Sequence, residues 1–377
     1  MAEISTYIHT YNCVTPLGYT VEENWQNLQQ GKSGIRKHSI NEASDEIYLS
    51  KIDDGLLEQK FQSIIGAEGF TRLEKMILLS LQPVLEQHPA TGNSVLILST
   101  TKGNNGDLKN QENPPQSTFL HQTARKISEY LGLESNPVVI SNACVSGVMA
   151  ISVAKNMIQA GMYDHAYVFA GDEVSEFVVS GFNSFQAMSA EPCRPYDKNR
   201  DGITLGEAAA AVFVSKNAGE SASFKVLGES AVNDANHISG PSRTGEGLYR
   251  SIQNALGEAK ISANEIDFLS AHGTATVYND EMESIAFTRA ELQKVPVNSL
   301  KGFYGHTLGA AGLLETVIAM ESAKNNFLIG SANLEQAGVS QEINIIRRND
   351  SKQITTILKT ASGFGGCNAA LVLQKTS

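Results

Sequence analysis

Residues 138–150 read VVISNACVSGVMA and combine a strand-like segment, a turn and the start of a helix-like segment. The first three are apolar and β-branched, which is typical of a short buried strand. Apolar residues then recur with helical spacing at Val148, Ile151 and Ala154, which predicts a helix. Cys144 lies at the turn between strand and helix, where the free N–H groups and the helix dipole favour a thiolate. Cys144 is therefore a candidate nucleophile, and a cysteine packed as a small hydrophobic residue is the alternative.

Composition and charge restrict the class of protein. The chain has 377 residues, enough for one large two-part unit or two ordinary domains. With 41% hydrophobic and 18% charged residues, it is expected to be globular. Its net charge of −11 argues against a nucleic-acid partner, because such proteins normally carry a basic excess.

Targeting and membrane signals are not found in the sequence. No stretch approaches the ~18 consecutive apolar residues of a membrane span. The N-terminus lacks the basic region and apolar core of a signal peptide. We therefore expect a cytoplasmic protein without a membrane partner.

The four cysteines do not form a recognisable framework. Cys13, Cys144, Cys193 and Cys367 lie far apart, without a C-x-x-C pair or a histidine at metal-ligand spacing. Neither a disulfide framework nor a metal site is expected.

Strand-like and helix-like segments alternate in both halves of the chain, which predicts an α/β fold with a largely parallel sheet covered by helices. The helix expected over residues 71–87 contains Pro83, which should kink or split it. A polar segment at residues 215–223 separates two halves, which we assign to residues 1–220 and 221–377. Strands are expected at residues 4–11, 95–99, 138–140, 166–170, 206–214, 224–232, 266–270, 295–299, 354–360 and 369–374.

Glycine-rich turns follow strands in the second half. They read SAHGTAT (270–276), KGFYGHTLGAAG (301–312) and SGFGGCN (362–368). Ligands of open α/β sheets gather at the carboxyl ends of strands, so Cys144, His272 and His306 are expected to meet there. A single histidine is more often packed or on the surface, but two in such turns together with Cys144 indicate a catalytic site.

Together these motifs resemble the β-ketoacyl-acyl-carrier-protein synthases of the two-histidine group, which are condensing enzymes of the thiolase superfamily. The resemblance covers almost the whole chain, including the turn at residues 14–18 and the loop at residues 194–207. It implies the thiolase fold, with duplicated α/β halves in a five-layer α-β-α-β-α arrangement. The family is usually dimeric, so the resemblance also implies a dimer.

The resemblance further implies roles for individual residues. Cys144 is the nucleophile that accepts the acyl group. His272 and His306 act on the malonyl group, and Lys301 is the lysine that precedes the second histidine. Phe364 is a gate whose N–H joins that of Cys144 in an oxyanion hole.

Three acidic residues complete the motifs. Asp280 and Glu283 follow the first histidine motif, and Glu315 follows the second. The resemblance implies that they orient the imidazoles and set the local charge. For these three residues and Lys301, ordinary charges at helix ends are the alternative, above all for Asp280 and Glu283 at an expected helix N-terminus.

The implied reaction is a decarboxylative Claisen condensation of malonyl-acyl-carrier protein with the acyl group on Cys144, in fatty acid, polyene or polyketide biosynthesis. No cofactor is expected on the enzyme, because the carrier protein supplies its own phosphopantetheine. The implied partners are the acyl carrier protein and a second subunit, either identical or ketosynthase-like. Basic residues are candidates for docking the acidic carrier, with a solvated helix face as the alternative: Arg72, Lys75, Arg125 and Lys126.

The sequence is also compatible with other functions. The chain could be the active subunit of a heterodimer of ketosynthase and chain-length factor. A thiolase-type acyltransferase acting on coenzyme A thioesters is less favoured, because both histidine motifs are intact. A non-catalytic partner subunit is disfavoured because Cys144, His272 and His306 are all present.

Overall fold

The structure is a computed structural model that describes residues 4–39, 46–90, 93–108, 114–218, 223–234 and 240–376. Its strands are β1 (Tyr7–Val14), β2 (Arg36–His38), β3 (Ile47–Ser50), β4 (Ser94–Ser99), β5 (Val138–Ile140), β6 (His165–Asp172), β7 (Leu205–Gly206), β8 (Ala208–Ser215), β9 (Phe224–Asn233), β10 (Phe268–Ser270), β11 (Val297–Asn298), β12 (Phe327–Leu328), β13 (Asp350–Ser351), β14 (Thr356–Gly363) and β15 (Cys367–Lys375).

The helices account for most of the remaining regular structure. They are α1 (Val21–Gln29), α2 (Asp54–Ile64), α3 (Arg72–Gln87), α4 (Leu120–Tyr130), α5 (Ser146–Gln159), α6 (Glu176–Ser184), α7 (Glu246–Ala259), α8 (Val277–Arg289), α9 (Lys301–Tyr304) and α10 (Ala311–Asn325). Short 3-10 turns lie at Asn105–Asp107, Gln116–Thr118, Ala263–Glu265 and Leu308–Ala310.

The ten-stranded central sheet consists of two halves with the same topology. The strand order is β5-β4-β6-β8-β1 in the first half and β11-β10-β14-β15-β9 in the second. Numbered along the chain within each half, both orders read 3-2-4-5-1. This repeat confirms the duplicated α/β architecture. The boundary expected between residues 220 and 221 lies outside the described residues and stays a prediction.

The sheet is mixed, so the expectation of a largely parallel sheet is wrong. Parallel pairing is confined to β5-β4-β6 and β11-β10-β14, at the two ends of the strand order. The pairs between these groups are antiparallel. One reason lies in the connection between β14 and β15, which spans only residues 364–366. A crossover to a parallel strand needs a dozen or more residues, so this connection forms a hairpin.

The helices and sheets form five layers. Helix α3 packs with apolar side chains on one face of the first half-sheet, and α7 and α8 pack on the outer face of the second. Helices α5 and α10 lie between the two half-sheets and share one core with both. The α-β-α-β-α arrangement of the thiolase fold is therefore confirmed.

Helix α3 continues through Pro83, contrary to the expected kink or split. A proline inside a helix leaves the carbonyl four residues earlier without its usual donor. Here the side-chain amide of Asn12 donates to the carbonyl oxygen of Leu79 at 3.5 Å. The neighbouring strand β1 thus replaces part of the lost hydrogen bonding, and the helix stays in one piece.

Among the helices of the described residues, none is both long and apolar enough to span a membrane. The cytoplasmic location expected from the sequence stays a prediction.

Candidate active site

The three predicted catalytic side chains meet in one pocket, although only Cys144 and His272 follow strands. Cys144 lies between β5 and α5, His272 follows β10, and His306 follows α9. All three line a cavity of about 350 Å³. The residue before the cysteine, Ala143, has a left-handed backbone with φ of 45°. Residues other than glycine are sterically strained in this conformation. The surrounding structure must therefore hold the tight turn that carries Cys144.

The trio is close enough to act on one substrate. The Cys144 sulfur and a ring nitrogen of each histidine all lie within 4.8 Å of one another. The two imidazole rings meet edge to face, with centroids 5.2 Å apart. The Lys301 ammonium lies 3.2 Å from His272 Nδ1 and opposes the binding of a cation to this trio.

Burial changes the expected state of the nucleophile. It raises the pKa of the Cys144 thiol to about 12, and the Lys301 ammonium opposes this rise. The sequence predicted a thiolate favoured by the N-terminus of α5. The cysteine does precede that helix, but desolvation outweighs the favourable charges, because it penalises the charged form. The resting group is a thiol.

Both imidazoles are neutral and oriented. Burial lowers the pKa of His272 and of His306 well below the usual value, and the Lys301 ammonium lowers both further. The Leu308 backbone N–H donates to His306 Nδ1 at 3.0 Å. The Lys301 ammonium, which can only donate, contacts His272 Nδ1. Each ring therefore carries its proton on Nε2 and is a hydrogen-bond donor at that atom.

A buried charge network lies behind His272. Lys301 Nζ contacts Glu315 Oε1 at 2.5 Å and donates to the His272 carbonyl oxygen at 2.6 Å. Lys359 Nζ contacts the other Glu315 oxygen, Oε2, at 2.6 Å. Lys359 was not predicted as a site residue. A lysine in the middle of the otherwise uncharged strand β14 was the signal that could have identified it.

Asp280 and Glu283 are fully buried, which excludes a solvated position at a helix end. Glu283 accepts the backbone N–H of His272 at 2.9 Å and that of Gly273 at 2.7 Å. Asp280 accepts the backbone N–H of Thr274 at 2.9 Å. Burial raises the pKa of Glu283 to about 7. The two carboxyl groups therefore hold the turn that carries His272.

Phe364 lies in the hairpin between β14 and β15 and is 38% exposed. Its ring packs against Phe182 and Phe185 of the α6 region, with centroids 5.9 and 5.5 Å away. The preceding Gly363 approaches the nucleophile so closely that a Cβ there would lie 3.1 Å from the Cys144 backbone nitrogen. The backbones of the predicted gate and the nucleophile are thus adjacent.

The candidate docking cations all have acidic neighbours. Arg72 is the most strongly engaged, because its guanidinium contacts Asp54 at 2.6 Å and the buried Glu207 at 2.8 Å. The other pairs are Lys75 with Glu58, Arg125 with Glu129, and Lys126 with Glu74. Arg125 remains 66% exposed, and docking by these residues stays a prediction.

A partly buried cysteine facing two neutral imidazoles, between duplicated α/β halves, defines a condensing enzyme of the thiolase fold. Comparison with known families agrees with this class. Residues 88–218 match the family description "Beta-ketoacyl synthase, N-terminal domain", and residues 224–335 match "Beta-ketoacyl synthase, C-terminal domain".

Individual relatives extend the match to nearly the whole chain. The 3-oxoacyl-[acyl-carrier-protein] synthase 2 of Vibrio cholerae is 30% identical over 414 residues, covering 96% of this chain and 97% of the relative. A putative mitochondrial 3-oxoacyl-[acyl-carrier-protein] synthase of Schizosaccharomyces pombe is 28% identical over 416 residues, with coverage of 96% and 97%. The chain belongs to the β-ketoacyl synthase family and is a condensing enzyme of the acyltransferase class.

A solved structure shows the same fold. The ketosynthase ApeO of Xenorhabdus doucetiae, solved in complex with its chain length factor ApeC, matches with a TM-score of 0.88 and 25% identity. The match covers 99% of this chain and 98% of that chain.

Proposed function

We propose that this protein condenses malonyl-acyl-carrier protein with an acyl group held on Cys144, with loss of CO₂. The observation that carries the proposal is the convergence of the Cys144 sulfur and the nitrogens of His272 and His306 within 4.8 Å. The family relationship supports the acyl-carrier-protein substrate, which brings its own phosphopantetheine. Fatty acid and polyketide pathways both use this chemistry.

The first half-reaction transfers the acyl group. The Cys144 sulfur attacks the thioester carbon of the acyl-carrier protein, and the carbon–sulfur bond to the carrier breaks. The thiol proton of Cys144 ends on the carrier's released thiol, so atoms and charge balance. The tetrahedral oxyanion needs fixed donors, and we assign the backbone N–H groups of Cys144 and Phe364 to it. The close approach of Gly363 to the Cys144 nitrogen supports this assignment.

The second half-reaction forms the carbon–carbon bond. The malonyl carboxylate leaves as CO₂, and negative charge develops on the thioester oxygen. His272 and His306 each present an Nε2–H, so together they stabilise that enolate. The enolate carbon then attacks the acyl carbon on Cys144, the carbon–sulfur bond breaks, and the sulfur takes up a proton.

The charged neighbours position these groups. Lys301 contacts His272 at both Nδ1 and the carbonyl oxygen, and Glu315 holds the Lys301 ammonium. Asp280 and Glu283 accept the N–H groups of the turn around His272. We assign these four residues to orienting His272 rather than to touching substrate.

A second subunit is part of the proposal. Strand β5 is the last strand in the sheet order, and within the described residues only β4 pairs with it. Its residues Val138, Val139 and Ile140 are apolar yet only partly buried. Unpaired apolar edges are normally covered, and we place another ketosynthase-like subunit there. The ApeO–ApeC complex supports a heterodimer, and an identical subunit is the alternative.

Mass spectrometry of the intact protein tests the first half-reaction. After incubation with acyl-carrier-protein thioesters of several chain lengths, we expect a mass gain that maps to Cys144. The gain should disappear in Cys144→Ala and persist in Cys13→Ala, which removes a buried cysteine of the core. No gain with any carrier-bound acyl group, with or without a partner subunit, would overturn the proposal.

Release of CO₂ from malonyl-carrier protein tests the second half-reaction. We expect release by the parent and severe losses in His272→Ala and His306→Ala. Condensation of acetyl-coenzyme A without CO₂ release would instead indicate a thiolase. Size-exclusion chromatography with light scattering distinguishes a homodimer from a chain that needs a different subunit.

A further inference from the structure

Lys359 is a buried lysine in the middle of β14 that the mechanism above does not use. It is 0% exposed, and its strand neighbours Ile357, Leu358 and Ala361 are equally buried. Burying an ammonium in an apolar layer is costly, and apolar substitutes for buried ion pairs are often as stable or more so. A stabilising role alone is therefore a weak explanation for this lysine.

The contacts of Lys359 all lead to the active site. Its Nζ lies 2.6 Å from Glu315 Oε2 and 3.3 Å from the carbonyl oxygens of both Ser270 and Ala271. Those two residues directly precede His272 in the chain. Glu315 in turn contacts Lys301, whose ammonium lies against His272.

The charges in this network do not cancel. Two ammonium groups, of Lys301 and Lys359, share the single carboxylate of Glu315. Among these three groups one positive charge is left over behind the imidazoles, in a region shielded from water. Burial lowers the pKa of Lys359, and the carboxylates of Glu315 and Glu283 oppose that fall. Electrostatic interactions are stronger there than in solvent. An anion that forms on the pocket side of His272 and His306 would be stabilised by that charge.

We propose that Lys359 is a positioning residue of this site: it holds Glu315 and the backbone before His272, and it supplies the charge that stabilises the enolate. This inference deepens the proposed function and rests on it. The charge acts through the two imidazoles and Lys301, and Lys359 itself does not touch the substrate.

The groups that face this network come from several elements. Glu315 on α10 contacts Lys359 directly, and Lys301 on α9 and Glu283 on α8 act on it at longer range. Burial is the main cause of the low pKa of His272 and of His306, and Lys359 lowers both further. Loss of the Lys359 charge should therefore raise both histidine pKa values.

Two substitutions separate charge from hydrogen bonding. Lys359→Met removes both, whereas Lys359→Gln removes the charge but keeps a donor for the carbonyl oxygens. We expect both variants to raise the histidine pKa values, measured by NMR titration of ¹⁵N-labelled histidine. We also expect both to slow CO₂ release from malonyl-carrier protein by about tenfold or more, with a smaller effect on acylation of Cys144.

Lys155→Met is the matched control. Lys155 is 1% exposed and pairs with Glu258, but it contacts none of the active-site groups. It should leave the histidine titration and CO₂ release unchanged. A Lys359→Gln variant with parental histidine pKa values and parental CO₂ release would overturn the inference. If the parent released no CO₂ while the histidine pKa values still rose in the variants, the proposed function would fail and the electrostatic role would stand.

Discussion

Gly147 and Gly312 meet where helices α5 and α10 cross, and neither position has room for a side chain. A Cβ on Gly147 would lie 2.4 Å from the backbone nitrogen of Leu313. A Cβ on Gly312 would lie 2.7 Å from the backbone nitrogen of Val148. The helix that begins after the nucleophile and the helix that carries Glu315 are therefore in backbone contact, and this contact joins the two halves of the site.

Gly147→Ala should push these helices apart. Overpacking a core costs about 1–3 kcal/mol, and here the clash is with backbone that cannot rotate away. We expect a lower free energy of unfolding in chemical denaturation, together with slower acylation of Cys144. Gly257→Ala on α7 is the control, because no atom of the described residues lies within 4 Å of its added methyl group. The free energy of unfolding of that control variant should be about 0.5–1 kcal/mol higher than that of the parent, because glycine is unfavourable in a helix interior. Equal stability of the two variants would contradict the crossing argument.

Lys301→Met should make Cys144 less reactive. The Lys301 ammonium opposes the rise in the Cys144 pKa that burial causes. Its removal should raise that pKa further, so the thiolate fraction falls at every pH below it. We expect slower alkylation of Cys144 by iodoacetamide at fixed pH and a rate profile displaced to higher pH. Lys324→Met, which removes an exposed lysine from the end of α10, should leave the profile unchanged.

Glu283→Gln should loosen the turn around His272. The two carboxylate oxygens accept backbone N–H groups from His272 and Gly273. An amide has only one accepting oxygen, so one buried N–H loses its acceptor, which costs about 1–3 kcal/mol. We expect a lower melting temperature and slower CO₂ release from malonyl-carrier protein. Glu281→Gln on the same helix is the control, because within the described residues its carboxylate accepts only the exposed backbone N–H of Ser340. A variant as stable and active as the parent would show that Glu283 does not hold the turn.

Three half-buried histidines surround Phe213 of β8, away from the active site. His88 stacks on the Phe213 ring at 4.1 Å, and His165 does so at 5.3 Å. Burial lowers the pKa of His9, His88 and His165 below the usual 6.5, and repulsion by neighbouring histidines adds to the effect on His9 and His88. Below about pH 6.5 the unfolded chain therefore binds more protons than the folded one. The free energy of unfolding should fall as the pH is lowered through this range.

Substitution within this cluster isolates its share of the pH dependence. His9→Gln removes one titrating group but retains an amide that can bond the Ser215 hydroxyl, which His9 Nε2 contacts at 2.8 Å. We expect a smaller loss of unfolding free energy between pH 7 and 5 than in the parent, measured by urea denaturation at each pH. His121→Gln, at an exposed position of α4, should lose as much unfolding free energy between pH 7 and 5 as the parent does. If His9→Gln also lost as much unfolding free energy as the parent, the cluster would not contribute to acid destabilisation.

Local sequence patterns were sufficient for much of the fold and for the central trio. Strand and helix periodicities predicted β4, β6, β9 and α3 with small errors at their ends. The turns that carry Cys144 and His272 could be predicted because each follows an apolar strand and contains small residues, and the turn that carries His306 could be predicted because it is rich in glycine. The mixture of parallel and antiparallel pairs in the sheet could not be predicted from the sequence, because it depends on which strands become neighbours.

The sequence by itself predicted the two-half α/β architecture, the candidate nucleophile and the two candidate histidines, because these depend on short periodic patterns and on motifs contained within a few residues. Only the tertiary structure decided which charges meet. Lys359 and Glu315 are 44 positions apart in the chain, yet their side chains are in contact. The Cys144 thiol and the protonation of both imidazoles were likewise decided by burial and by neighbours such as Lys301. Desolvation and charge interactions depend on distances in space, and local periodicity does not encode those distances.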